Sequence, residues 1–131
     1  MNDDFSVLFL DDDGYMLNAY QRMLRGSSFQ CVFEQSCLQA QNYLCCYPVS
    51  LLLVDYLMPE QSGLDFCRHK TGWKQPTDCY LLSAMHEPER FKQAEQQGII
   101  KGVLSKPITK TELLLFLDKY QHKLSNQALL E

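Results

Sequence analysis

A doubly wound α/β sheet of five parallel strands is the fold class the sequence predicts, on three observations. Short apolar runs alternate with amphipathic segments along the chain. One run, Leu51-Leu-Leu-Val54, is apolar without a break, as expected of a parallel strand covered on both faces. No linker, internal repeat or low-complexity tract interrupts the alternation. A pattern of this kind specifies helices on both faces of one sheet, joined by right-handed crossovers.

Each element has its own signal. Phe5-Ser-Val-Leu-Phe-Leu10 reads as the first strand, and Met16, Leu17, Tyr20, Met23 and Leu24 form one face of the helix after it. A second apolar run, Phe29 to Phe33, precedes a helical stretch that ends near Tyr47 and Pro48. After Leu51–Val54 come a helix from about Ser62, a strand at Cys79 to Leu82, a helix from about Pro88 and a strand at Gly102 to Leu104. The last helix opens on Thr109-Lys-Thr-Glu112, the spacing of a capping box.

Composition narrows the function classes. A chain of 131 residues with 46% hydrophobic content is one domain's worth and enough for a real core. Its formal charge of -4 argues against a nucleic-acid surface, which needs clustered Lys and Arg. No apolar run approaches the ~18 residues of a membrane span, and no basic segment precedes the first strand. Six cysteines (Cys31, Cys37, Cys45, Cys46, Cys67 and Cys79) include no CxxC pair and no Cys/His set at zinc spacing. They read as reduced, half-buried thiols of a cytosolic protein. His69, His86 and His122 are scattered and read as surface residues.

Ligands of such sheets bind at the carboxyl ends of the strands. There the sequence places Asp11-Asp12-Asp13 after strand one, Asp55 after strand three, Ser83 after strand four and Lys106-Pro107 after strand five. Asp13, just before the first helix, reads as its N-cap. The others can converge on one pocket. Crowded carboxylates repel one another unless a cation is present, and hard oxygen ligands with room for water suit Mg²⁺. A lysine and a hydroxyl opposite them supply donors for the oxygens of a transferred phosphoryl group, and a carboxylate is a competent phosphoryl acceptor.

Four stretches carry a family resemblance: Val7-Leu-Phe-Leu-Asp-Asp-Asp13, Leu52-Leu-Val-Asp-Tyr-Leu-Met-Pro-Glu-Gln-Ser-Gly63, Leu81-Leu-Ser-Ala84 and Leu104-Ser-Lys-Pro107. From about Phe5 to about Leu124 the chain resembles a receiver domain of the bacterial two-component response regulators. The resemblance implies a (βα)5 fold of the flavodoxin/CheY-like type with strand order 2-1-3-4-5. Residues 1–131 would form a single receiver domain with a core at 5–124 and a C-terminal helix extending past it. It further implies that Asp55 takes a phosphoryl group from the phosphohistidine of a sensor histidine kinase or phosphotransfer protein. Asp11, Asp12, Asp55 and the backbone carbonyl of Leu57 would hold Mg²⁺. Ser83 would contact the phosphoryl group and move on activation, and Lys106, expected to precede a cis peptide bond, would pair with the acyl phosphate. The only chemistry would be self-catalysed phosphorylation and dephosphorylation, and the setting cytoplasmic.

Two departures from the family pattern involve three positions. Where an aromatic side chain usually swings inward on activation stands Val103, which is stiff at its first torsion. Leu57 and Met85 stand two residues after Asp55 and Ser83, where the family tunes hydrolysis, and are expected to shield the phosphoaspartate from water.

Two rival readings have sequence support. Asp11-Asp-Asp13-Gly14 matches the DxDG nucleophile motif of haloacid-dehalogenase-like phosphatases, with Asp11 as nucleophile and Asp13 as general acid, but leaves Asp55-Tyr-Leu-Met-Pro59 unexplained. A degenerate receiver serving only as a protein-binding module is the other, set against five competent residues. Output is open between a stand-alone regulator and a receiver cut from a longer one. In the last helix Leu113, Phe116, Leu117, Tyr120 and Leu124 read as core. Leu114, Leu115, Ala128, Leu129 and Leu130 read either as scattered surface residues or as a dock for a partner, a second copy (a homodimer) or an output domain.

Overall fold

The computed structural model describes residues 5–127 in full and 128–130 as helix backbone. Five strands, β1 (Ser6–Leu10), β2 (Gln30–Glu34), β3 (Leu51–Asp55), β4 (Asp78–Ser83) and β5 (Gly102–Ser105), alternate with five helices. The helices are α1 (Gly14–Leu24), α2 (Cys37–Cys46), α3 (Gly63–Arg68), α4 (Pro88–Gln96) and α5 (Lys110–Leu130). All strand pairs are parallel, in the order β2-β1-β3-β4-β5. The expected fold class and strand order are both present.

Alternation along the strands divides the core in two, because successive side chains leave a strand on opposite faces. Leu8, Leu10, Leu52, Val54 and Leu81 face one cluster together with Ala40, Leu44, Phe66 and Phe91. Val7, Phe9, Leu51, Leu53 and Leu82 face the other, with Leu17, Tyr20, Leu113 and Leu117. Every residue of β3 is buried, which is why its sequence does not alternate. Each fully buried leucine contributes about 1.5–3 kcal/mol relative to an exposed one. The even spacing of period two then carries Asp11 (after Phe9), Asp55 (after Leu53) and Lys106 (after Leu104) to the same side of the sheet.

Polar residues set the helix starts. Asp13, Ser36 and Ser62 accept from the amides of Tyr15, Gln39 and Asp65 at 2.9–3.0 Å. Thr109 and Glu112 close the capping box reciprocally. Caps of this kind stabilise a helix by about 1 kcal/mol each. α4 starts differently: it opens on Pro88, and Glu87 before it makes no side-chain capping bond.

Two expectations are refined. Cys31 and Cys45 are half-buried as expected, but Cys46 is exposed, and Cys37, Cys67 and Cys79 are buried, because α2, α3 and β4 present those three to the core. The Cys67 thiol is pushed up by its hydrogen bond to Cys79 and by burial, and that bond lowers Cys79. In α5, Leu114 packs against the core cluster while Leu115 is exposed. The side chains of Ala128, Leu129 and Leu130 lie outside the described residues.

Candidate phosphoacceptor site

β1 and β3 are neighbours with Leu10 opposite Val54, so the residues that follow each, Asp11 and Asp55, stand side by side at the carboxyl edge. Asp11 is buried and Asp12 is exposed. One carboxylate oxygen of Asp11 accepts from the Asp13 amide at 2.9 Å, and the other accepts from Lys106 Nζ at 3.0 Å. The same ammonium donates to Asp55 Oδ1 at 2.8 Å. Lys106 reaches the pocket from the β5–α5 loop, where its amide donates to the Ser83 carbonyl at 2.9 Å. The Lys106–Pro107 peptide is cis, as expected.

Charge is not balanced here. One ammonium faces three carboxylates, and carboxylate oxygens of Asp11, Asp12 and Asp55 lie within 4.8 Å of one another. Burial pushes the Asp55 carboxyl above its ordinary range, the Lys106 hydrogen bond opposes that, and the neighbouring charge of Asp11 adds to it. For Lys106, burial lowers the pKa but the bonds to Asp55 and Asp11 outweigh it, so the group is raised and held as a cation. A negative, oxygen-lined, partly desolvated triad is able to coordinate a divalent metal ion.

Around this floor the loops are held by their own backbone. The Tyr56 amide donates to the Leu82 carbonyl, and the Gly63 amide donates to the Tyr56 carbonyl at 2.8 Å. A Cβ at position 63 would lie 2.4 Å from the Asp55 carbonyl oxygen, so only glycine admits this close approach. The Ser83 hydroxyl donates to the Met85 carbonyl and its oxygen accepts from the Met85 amide, both at 3.0 Å. It is therefore engaged in its own turn. Leu57 and Met85 are exposed on the rim. Val103 is half-buried against the cluster that contains Phe91 and Leu81.

Two tyrosines escaped the sequence reading. Tyr20, assigned there only to an apolar stripe, is fully buried with its ring on Phe9 at 5.0 Å, and its hydroxyl has no hydrogen-bond partner among the described residues. Burial pushes it up to about 12, with Lys106 and Asp11 among the charges it feels. Tyr56, read only as the neighbour of Asp55, is buried and its hydroxyl accepts from Arg90 Nη1 at 3.2 Å. Neither carried a local signal, since both partnerships depend on tertiary placement. Asp13 caps α1 as expected, and His69, His86 and His122 are exposed.

Comparison with known proteins agrees with this geometry. Residues 7–118 match the model of the response regulator receiver domain family. The signal receiver domain of an HD domain-containing protein from Pseudomonas fluorescens Pf-5 superposes with a TM-score of 0.79 at 23% identity, covering 96% of this chain and 95% of that one. A response regulator receiver domain protein (CheY-like) from Methanospirillum hungatei JF-1 does so at 0.81 with 13% identity, covering 94% and 98%. One from Clostridium thermocellum gives 0.79 at 18% identity, covering 94% and 98%. No curated protein matches the chain significantly. A pocket of carboxylates and one lysine at the edge of this sheet, with the family match over most of its length, makes the chain a member of the response regulator receiver domain family. Its acidic cluster is consistent with a metal-dependent phosphoaspartate site, with self-phosphorylation and dephosphorylation as its chemistry rather than turnover of a separate substrate. A phosphodonor partner follows from that class, and no described helix is long and apolar enough to cross a membrane.

Proposed function

We propose that Asp55 is the phosphoacceptor. The observation that carries the reading is the shared ammonium: Lys106 Nζ bonds both Asp55 at 2.8 Å and Asp11 at 3.0 Å. Asp55 is thereby the partly exposed carboxylate, its side chain 12% accessible, whereas Asp11 at 2% is closed off. An Asp55 oxygen attacks the phosphorus of a donor phosphohistidine. The new O–P bond forms as the N–P bond breaks, and the histidine nitrogen leaves with the electron pair. Lys106 then faces the oxygens of the acyl phosphate, and Ser83 becomes their second donor once its hydroxyl turns from Met85.

Mg²⁺ is the ion that fits the donor set, held by Asp11, Asp12, Asp55 and the Leu57 carbonyl. When bound it neutralises the charge that gathers on the phosphoryl oxygens. Leu57 and Met85 slow water's approach to the phosphoaspartate. The switch residues are Ser83 and Val103, and stiff Val103 leaves the relay to another side chain. The donor is a sensor histidine kinase or phosphotransfer protein, and a homodimer or output domain is the readout. Residues 1–131 act as one receiver domain with its core at 5–124. Free thiols at all six cysteines favour a cytoplasmic setting.

Acetyl phosphate with Mg²⁺ tests the assignment. The wild-type chain is expected to gain one phosphoryl group by intact mass, and Asp55→Asn none. A beryllofluoride or phosphoryl adduct mapped to Asp11 would overturn it.

A further inference from the structure

Tyr56 joins two segments that the proposed chemistry would move apart. Its amide bonds the Leu82 carbonyl, and its carbonyl accepts from Gly63, so its backbone is fixed to β4 and to the start of α3. Its ring meets Phe91 of α4 edge-on at 4.9 Å and 88°. Its hydroxyl accepts from Arg90 Nη1 at 3.2 Å, and burial, then the nearby Glu87 carboxylate, push its pKa up. Glu87 and Arg90 also pair with each other at 3.5 Å. Glu87 is the N-cap residue of α4, yet its carboxylate is drawn to this group instead of capping the helix. The start of α4 is thus clasped by a phenol hydroxyl.

Placement gives the clasp its meaning. Glu87 lies four residues after Ser83, on the same short β4–α4 connection. If Ser83 turns toward a phosphoryl group on Asp55, that connection shifts, while Tyr56 stays with β3. The bond from Tyr56 to Arg90, and through it the pair with Glu87, crosses the boundary between what moves and what stays. Position 103, the usual aromatic relay, holds only a valine that packs on the same side of the sheet as Phe91. We propose that the Tyr56 hydroxyl is a positioning group that latches α4 in its resting placement, through Glu87 and Arg90, and opposes closure of the Ser83 loop on occupied Asp55. This rests on Asp55 as the phosphoacceptor.

Tyr56→Phe keeps the ring against Phe91 and removes only the latch. Two readouts follow in the full chain: amide hydrogen exchange over Glu89–Gln93, and beryllofluoride affinity with Mg²⁺ by NMR titration. The variant is expected to exchange faster in α4 without ligand and to bind beryllofluoride about 3- to 10-fold more tightly, the range one partly exposed hydrogen bond to charged groups accounts for. Glu87→Gln should shift both in the same direction, less far. Because the two residues share one latch, the double variant should match Tyr56→Phe instead of summing the effects. Unchanged or weaker binding, or additive effects, would overturn the latch. Retention of beryllofluoride by Asp55→Asn would instead overturn the phosphoacceptor assignment, so the two failures are distinguishable.

Discussion

The floor of the pocket and the loops beside it are built by opposite means. On the floor, Asp11, Asp55 and Lys106 are buried or nearly so, and both carboxylates bond the lysine directly. Beside it, Leu57 and Met85 stand exposed, the Ser83 hydroxyl bonds within its own turn, and α4 begins on a clasp whose Arg90 is open to solvent. A buried, paired charge is expensive to disturb, whereas a solvated ion pair is held by about 1 kcal/mol or less. The chemistry is therefore rigidly placed, and the response to it is free to move.

The largest expected effect removes the shared cation. Lys106→Met leaves Asp11 and Asp55 facing each other unpaired and should slow phosphorylation from acetyl phosphate on the order of 10²-fold. A loss of less than a few-fold would mean that the floor is not electrostatically organised. Gly63→Ala tests its rigidity: a Cβ 2.4 Å from the Asp55 carbonyl must displace backbone, and urea denaturation should show a loss of about 1–3 kcal/mol. Full stability in that variant would show the floor to be softer than it looks. On the rim, Leu57→Asn and Met85→Asn should each hasten loss of the phosphoryl group by about 3- to 10-fold, up to 1.4 kcal/mol off the barrier. Unaltered lifetimes would assign the shielding to other groups.

The smallest effect is a pH dependence. Burial raises Asp55 in the fold above the ordinary 3.8. Across the window from 3.8 up to its raised value the folded chain binds more protons than the unfolded one, so stability falls as pH rises through it. Lys106, raised from 10.5, keeps its contribution throughout this range and loses it only at much higher pH. Metal-free Asp55→Asn should thus melt higher than wild type at neutral pH, on the order of 2 °C, with the gap closing in acid. Added Mg²⁺ should stabilise the wild-type chain and leave the variant nearly unmoved.

Legibility in the sequence follows the same division. Short apolar runs and the strand-end rule put Asp11, Asp12, Asp55, Ser83 and Lys106 at one edge of the sheet, because each sits one or two residues past such a run. Caps at Asp13 and Thr109 were equally readable, being local. The clasp joins residues 34 positions apart, and its ends look like an ordinary aromatic and a surface arginine. Tyr20 and the Cys67–Cys79 contact were hidden for the same reason: a helical stripe tells which side chains go inward, not which polar atom meets which.

Gly63 carries one consequence further. Its amide and its bare Cα close the chain segment from Asp55 to α3 into a stiff backbone ring, with no side chain to yield. On the proposed chemistry, a push delivered at Asp55 would be resisted in that direction and taken up through Ser83. The pocket would then act as a one-way lever, with a missing methyl group as its fulcrum and α4 as its free arm.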